Sequence, residues 1–194
     1  MKTIEELDKY LCAKYPKMFR DRHASMQTTC LCWGLEIGDG WSNILLSLCS
    51  NIQWHINQSR KQRASAVTFN RALAAGLPAM LKYHQGRSKE PSEWDTKYAA
   101  RDIEIGLPRP VPDKISQVVI TQVKEKFGSL RFYYQGGDEQ IDGMVRMAES
   151  MSEVTCDECG SPGRIRPGGW LRCLCDTHAQ ASGHLTTEEE ENSL

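Results

Sequence analysis

Three cysteines and one histidine near the C-terminus have the residue types and spacing of metal ligands. The chain reads Cys156-Asp-Glu-Cys159-Gly160 and then Cys175-Asp-Thr-His178, a C-x2-C-x15-C-x2-H quartet. Thiolate and imidazole are the donors that tetrahedral Zn²⁺ prefers. Four protein donors leave no open position for water or substrate, so the expected cofactor is one structural Zn²⁺. Gly160 permits the tight turn after the second cysteine. Cys175 and His178 fall where a helix should begin, so both can face one ion. Cys173 is an alternative ligand that would make the site fully thiolate. The C-x2-H spacing favours Cys175 over it. His184 is expected to be a surface histidine.

The order of knuckle, hairpin through Trp170-Leu171-Arg172, and ligand-bearing helix resembles the treble-clef arrangement. That arrangement also hosts HNH-type nucleases, which need histidines and an acidic or amide partner free to hold a catalytic metal. Here His178 is committed to the quartet and no histidine pair precedes it, so nuclease activity is the disfavoured alternative. Cys30 and Cys32 with His23 could form a second site, but C-x-C is a weak spacing and no fourth donor is evident. These thiols are expected to be buried or half-buried.

Candidate binding residues fall into three groups. Arg164, Arg166 and Arg172 lie with Trp170 between the ligand pairs, a mixture compatible with phosphate or base contacts and equally with decoration of a small module. Trp33, Glu36, Asp39 and Trp41 border a glycine-punctuated segment that could form the rim of a site for a nucleotide-like small molecule. Paired carboxylates there are also what helix capping produces. Arg131 and Tyr133 should face away from Leu130 and Phe132 on a strand, as an exposed face or as cross-strand partners.

The elements that position these residues follow from periodicity. Ile4 to Phe19 reads as an amphipathic helix with Pro16 near its end. A helix capped by Asp39 should carry Trp41, Ile44, Leu45, Leu48, Ile52 and Ile56 as a core stripe. Val67 to His84 reads as a helix interrupted at Gly76-Leu77-Pro78. Residues 85–112 lose pattern in Gly, Ser, Pro and charge. Ile115–Lys124 and Ser129–Tyr134 then form a hairpin around Lys126-Phe127-Gly128, and Asp138 can cap a helix with Ile141, Met144, Val145 and Ala148. A final short helix should run from Asp176 to about Leu185.

The 194 residues, 40% hydrophobic and 25% charged, allow one globular body and a small metal module. A net charge of −1 gives no global attraction to nucleic acid or anionic membrane. Locally, the stretch from Arg60 to Lys89 is basic without an acidic residue, whereas Glu188–Glu191 form an acidic run. The N-terminus lacks the pattern of a signal peptide, and no stretch has the ~20 apolar residues of a membrane span. Eight cysteines in such a chain point to a reducing, cytoplasmic setting.

The segments Cys32-Trp-Gly34…Gly38-Asp39-Gly40-Trp41, Val123-Lys-Glu-Lys-Phe-Gly128-Ser-Leu-Arg-Phe-Tyr133-Tyr134 and the C-terminal quartet occur in that order. Together they resemble a family of uncharacterised proteins encoded by bacteriophages and prophages, over about Tyr10 to Ala179. The resemblance implies a bacterial host cytoplasm and an accessory or anti-defence role, with no catalytic residues to carry over.

The expected architecture is therefore α+β, with helices packed on a small antiparallel hairpin and a treble-clef-like zinc finger. Its expected organisation is a body at 1–152, loop-rich at 85–112, a zinc module at 153–185 and a disordered acidic tail at 186–194. The expected function is non-enzymatic binding of a host protein or nucleic acid, with capture of a nucleotide-like molecule as the alternative. Chelation is expected to loosen the finger and leave the body folded.

Overall fold

The computed structural model describes residues 2–184. The acidic run Glu188–Glu191 and the expected tail at 186–194 lie outside the described residues. The chain is α+β and divides into two compact units. One comprises 1–56 with 116–194, and the other comprises 57–115.

The first unit opens with α1 (Ile4–Lys14). Thr3 accepts from the Glu6 amide and Glu6 reaches back to the Thr3 amide, a capping box that fixes the helix start. Leu7 and Leu11 are fully buried. A short strand β1 (Leu35–Glu36) precedes α2 (Ser42–Ala75), whose N-terminal half, with Trp41 just ahead of it, carries the expected core stripe of Ile44, Leu45, Leu48, Ile52 and Ile56. After residue 116 come β2 (Val119–Lys126) and β3 (Ser129–Gln135), an antiparallel hairpin with Lys126 opposite Ser129.

The sheet is mixed, because β1 pairs in parallel with β2, Leu35 opposite Val123. The glycines around residues 34–40 hid this strand, which is only two residues long. Along β3 the expected alternation holds: Leu130 and Phe132 are buried, Tyr133 is exposed and Arg131 is half-buried.

α5 (Glu139–Ser152) starts where Asp138 accepts from the Ile141 amide at 3.1 Å. It flanks the free edge of β3 and occupies that edge's donors. Ser152 Oγ accepts from the Leu130 amide at 2.8 Å, and Glu149 accepts from the Phe132 amide at 3.1 Å. An exposed strand edge is thereby blunted. The unit ends with a two-stranded sheet, β4 (Arg164–Arg166) and β5 (Arg172–Leu174), and with α6 (Asp176–Ala181).

The second unit holds the C-terminal part of α2, α3 (Leu77–Gln85) and α4 (Glu93–Ile105). α2 continues through 57–66 and breaks at Gly76, whose φ of +90° favours glycine, and Pro78 lies in the first turn of α3. Phe69, Ala72, Met80 and Ala99 form its buried cluster. The stretch expected to be loop-rich thus carries a helix. Ser92 caps α4 with a capping box to Asp95, and Gly106 ends it in the left-handed region. Charge on the exposed face of α4 had masked its periodicity. The proline segment beyond is tied down by paired bonds of 2.8 Å between the Asn70 side chain and the Arg109 backbone, with the Arg109 guanidinium 3.8 Å from the Phe69 ring centre.

Candidate metal centre

The sulfurs of Cys156, Cys159 and Cys175 and a ring nitrogen of His178 lie within 4.8 Å of one another, so the four residues could hold a metal ion. Cys156 and Cys159 sit on a turn closed by Gly160 N–H donating to Cys156 O at 2.9 Å. Cys175 is the N-cap of α6 and His178 lies one turn on. Cys159 Sγ is 3.9 Å from Cys175 Sγ, and His178 Nδ1 is 3.6 Å from Cys156 Sγ and 3.1 Å from Cys175 Sγ. A tetrahedron with metal–sulfur bonds of about 2.3 Å and metal–nitrogen bonds of about 2.0 Å has edges of about 3.8 and 3.5 Å. Two of these three spacings match such edges and the third is shorter.

The electrostatics separate the ligand thiols. Ser161, through its hydroxyl and its amide, pulls the Cys159 thiol down to about 6, close to its ligating form. Burial pushes Cys156 up. Cys173 is excluded from the cluster. It is fully buried within β5, donates to Glu153 O at 3.2 Å, and is pushed by burial to about 11. Cys173→Ala should therefore retain full metal content, whereas Cys175→Ala should lose it; elemental analysis of the two purified variants checks this.

His184 is also outside the cluster, with Nε2 3.0 Å from Trp170 O and Nδ1 3.1 Å from Ser182 Oγ. Cys30, Cys32 and His23 are not gathered: among the described residues only the C-terminal quartet brings three or more such ligands together.

The knuckle is fastened to the loop ahead of α2, and the fastening residue is Asp157, between the first two cysteines. Asp157 Oδ1 accepts from Gly38 N–H and Asp157 O from Gly40 N–H, both at 2.7 Å. Trp41 Nε1 donates to Thr155 O at 2.7 Å. A β-carbon on Gly40 would lie 2.1 Å from Cys156 O, and one on Gly38 would lie 2.3 Å from Asp157 O. The Gly38-Asp-Gly40 pair is the sequence signal of this close approach, although sequence alone could not name the partner. The boundary expected at 152/153 is thus crossed by several hydrogen bonds.

These contacts correct the expected binding residues. Trp41 is fully buried, and Asp39 accepts from the Ile4 amide at 2.6 Å, capping α1 rather than α2. Glu36 accepts from Gln122 at 3.2 Å, and Trp33 is exposed. The four residues do not form one rim. Of the arginines, Arg166 is 1% exposed, bonded to Asp176 and to Leu174 O. Arg172 bridges Asp157 at 2.9 Å and Glu158 at 2.6 Å, and Arg164 lies 3.9 Å from Asp176. The three arginines brace the finger. Arg131 lies 3.9 Å from Glu149 and bonds Leu130 O at 3.0 Å, leaving Tyr133 as the more exposed of that pair.

Trp170 is 67% exposed and donates from Nε1 to Glu125 Oε2 at 2.9 Å. The other oxygen of Glu125 accepts from Gly128 N–H at 2.7 Å. One carboxylate therefore ties the β2–β3 turn to the finger. Between them lies a groove of about 760 Å³ lined by Glu36, Lys124, Lys126, Phe127, Trp170 and Leu171.

Comparison of the chain with protein-family models, with characterised proteins and with solved structures gave no match.

Proposed function

We propose that the chain is a non-enzymatic binding protein in which Cys156, Cys159, Cys175 and His178 hold one structural Zn²⁺. The observation that carries this reading is the gathering of four soft or borderline donors within 4.8 Å. Knuckle, β4–β5 hairpin and α6 follow in the order of a treble clef. All four positions of a tetrahedral ion would be taken by protein, which suits a staple rather than a reaction centre. His184, the remaining histidine of the module, is turned to Trp170 O, which gives the nuclease alternative no support.

The staple would hold β4–β5 beside the β2–β3 turn and so form the surface that meets a partner, a host protein or nucleic acid. The phage accessory or anti-defence setting in a bacterial cytoplasm rests on the sequence resemblance alone. Among the described residues, no helix is long and apolar enough to cross a membrane.

The test is elemental analysis of the full chain purified without chelator and under reducing conditions. One zinc per chain, lost in Cys156→Ser and in His178→Ala, is expected. Zinc-free folded protein, or two ions per chain, would sink the reading.

A further inference from the structure

The groove between the hairpin turn and the finger has features that structural economy does not explain. Phe127 and Gly128 both have positive φ, 56° and 78°, as the two central residues of a type I′ turn do. Gly128 suits that turn, and its missing β-carbon leaves room for Ile165 of the finger, which would otherwise lie at 3.0 Å. Phe127 does not suit it. It is the one described non-glycine residue with positive φ, and its ring is 65% exposed. Backbone strain and an exposed aromatic are both unfavourable, and strain of this kind collects at functional sites.

Trp170 stands across the groove with its N–H fixed by Glu125, which leaves the indole faces to accept a ring. Cations alternate with these aromatics. Lys126 lies 5.2 Å from the Phe127 ring centre, and Lys124 lies 5.7 Å from that of Tyr133. Neither lysine makes an ion pair among the described residues, whereas the carboxylates nearby already have donors, Glu125 from Gly128 and Trp170 and Glu36 from Gln122. The groove is balanced in charge, Lys124 and Lys126 against Glu36 and Glu125, and among the described residues the two ammonium groups are its uncommitted hydrogen-bond donors.

We propose that this surface binds single-stranded nucleic acid, with bases stacked on Trp170, Phe127 and Tyr133 and phosphates on Lys124 and Lys126. Aromatic platforms interleaved with lysine recognise every base by its face and the backbone by its charge. An oligomer fits better than a mononucleotide. Tyr133 is registered opposite Gln122, so Tyr133 to Phe127 spans five strand residues, about 16 Å, several times the ~3.4 Å stacking distance of one base. The inference deepens the binding-protein reading and depends on it only for the finger that carries Trp170.

The experiment uses the zinc-loaded full chain and a fluorescein-labelled single-stranded oligothymidylate of roughly twelve nucleotides, followed by anisotropy. Binding at about 50 mM salt that weakens steeply by about 200 mM is expected. Lys124→Gln and Lys126→Gln should each lower the salt slope by about 0.7. Trp170→Ala should weaken binding at least ~5-fold, and Trp54→Ala, an exposed tryptophan outside the groove, should leave it unchanged.

Phe127→Asn is the decisive variant, because it creates the Asn-Gly pair that type I′ turns favour. It should raise the melting temperature by roughly 2–4 °C and still weaken the oligomer at least ~5-fold, a pairing that misfolding cannot produce. Unchanged affinity in Phe127→Asn, equal affinity for thymidine monophosphate, or no binding by protein that retains its zinc would overturn the assignment. Those results leave the metal reading standing. Oligomer binding by folded, zinc-free chain would overturn the metal reading alone.

Discussion

Cys156→Ala will disturb far more than the finger. Loss of this ligand should abolish stoichiometric metal binding and lower the melting temperature of the unit built from 1–56 and 116–184 by roughly 10 °C. The reason lies in what the knuckle supports. Without the ion, two short turns and a two-stranded sheet have little apolar surface to hold them; only Cys156, Leu174 and Ala179 form the buried cluster there. Once the knuckle loosens, the Gly38 and Gly40 amides lose their acceptors on Asp157 and the buried Trp41 indole loses Thr155 O. Three net hydrogen bonds at about 1 kcal/mol each, with the added cost of a buried unpaired indole N–H, give about 4–6 kcal/mol. Thermal unfolding with and without chelator checks the same point in the unaltered chain.

Gly40→Ala should be nearly as damaging although it touches no ligand. The added methyl would meet Cys156 O at 2.1 Å, Gly160 N at 2.5 Å and Asp157 O at 2.7 Å. All three are backbone atoms of the Cys156–Gly160 turn, so no side chain can swing aside. Either the loop ahead of α2 moves away, breaking the Gly40–Asp157 bond, or the ligand turn distorts. A loss of about 3 kcal/mol or more is expected, with metal affinity reduced at least ~10-fold as the turn is displaced. Gly143→Ala is the control, since a β-carbon there meets nothing within 4 Å on helix α5. It should be neutral or stabilise by up to ~1 kcal/mol. Melting curves and competition with a zinc-binding dye report both quantities.

The ligand quartet was legible in the sequence because spacing alone defines it, and the C-x2-H spacing pointed to Cys175 rather than Cys173. The α2 stripe, the break at Gly76-Leu77-Pro78, the Phe127-Gly128 hairpin and the Asp138 cap were legible for the same reason: each is a local rule. What could not be read depends on chain-distant pairing. β1 has two residues and becomes a strand only because β2 lies beside it. Asp39 looked like a cap for the helix that follows it, yet its carboxylate serves the α1 amide of Ile4, 35 residues away. Arg166 and Arg172 looked available for phosphate until Asp176, Asp157 and Glu158 were found against them. The bonds that join the finger to the Gly38–Gly40 loop were hidden on the same ground, because nothing local to Asp157 reveals that it receives Gly38 and Gly40.

The central claim is that the metal ion staples the knuckle to the Gly38–Trp41 loop, and amide hydrogen exchange of the full chain tests it most directly. Chelation should speed exchange at Gly38 and Gly40 together with Cys156 to Gly160, while the helix of the other unit at Leu77–Gln85 keeps its rate. Unchanged protection at Gly38 and Gly40 after complete metal removal would contradict the account.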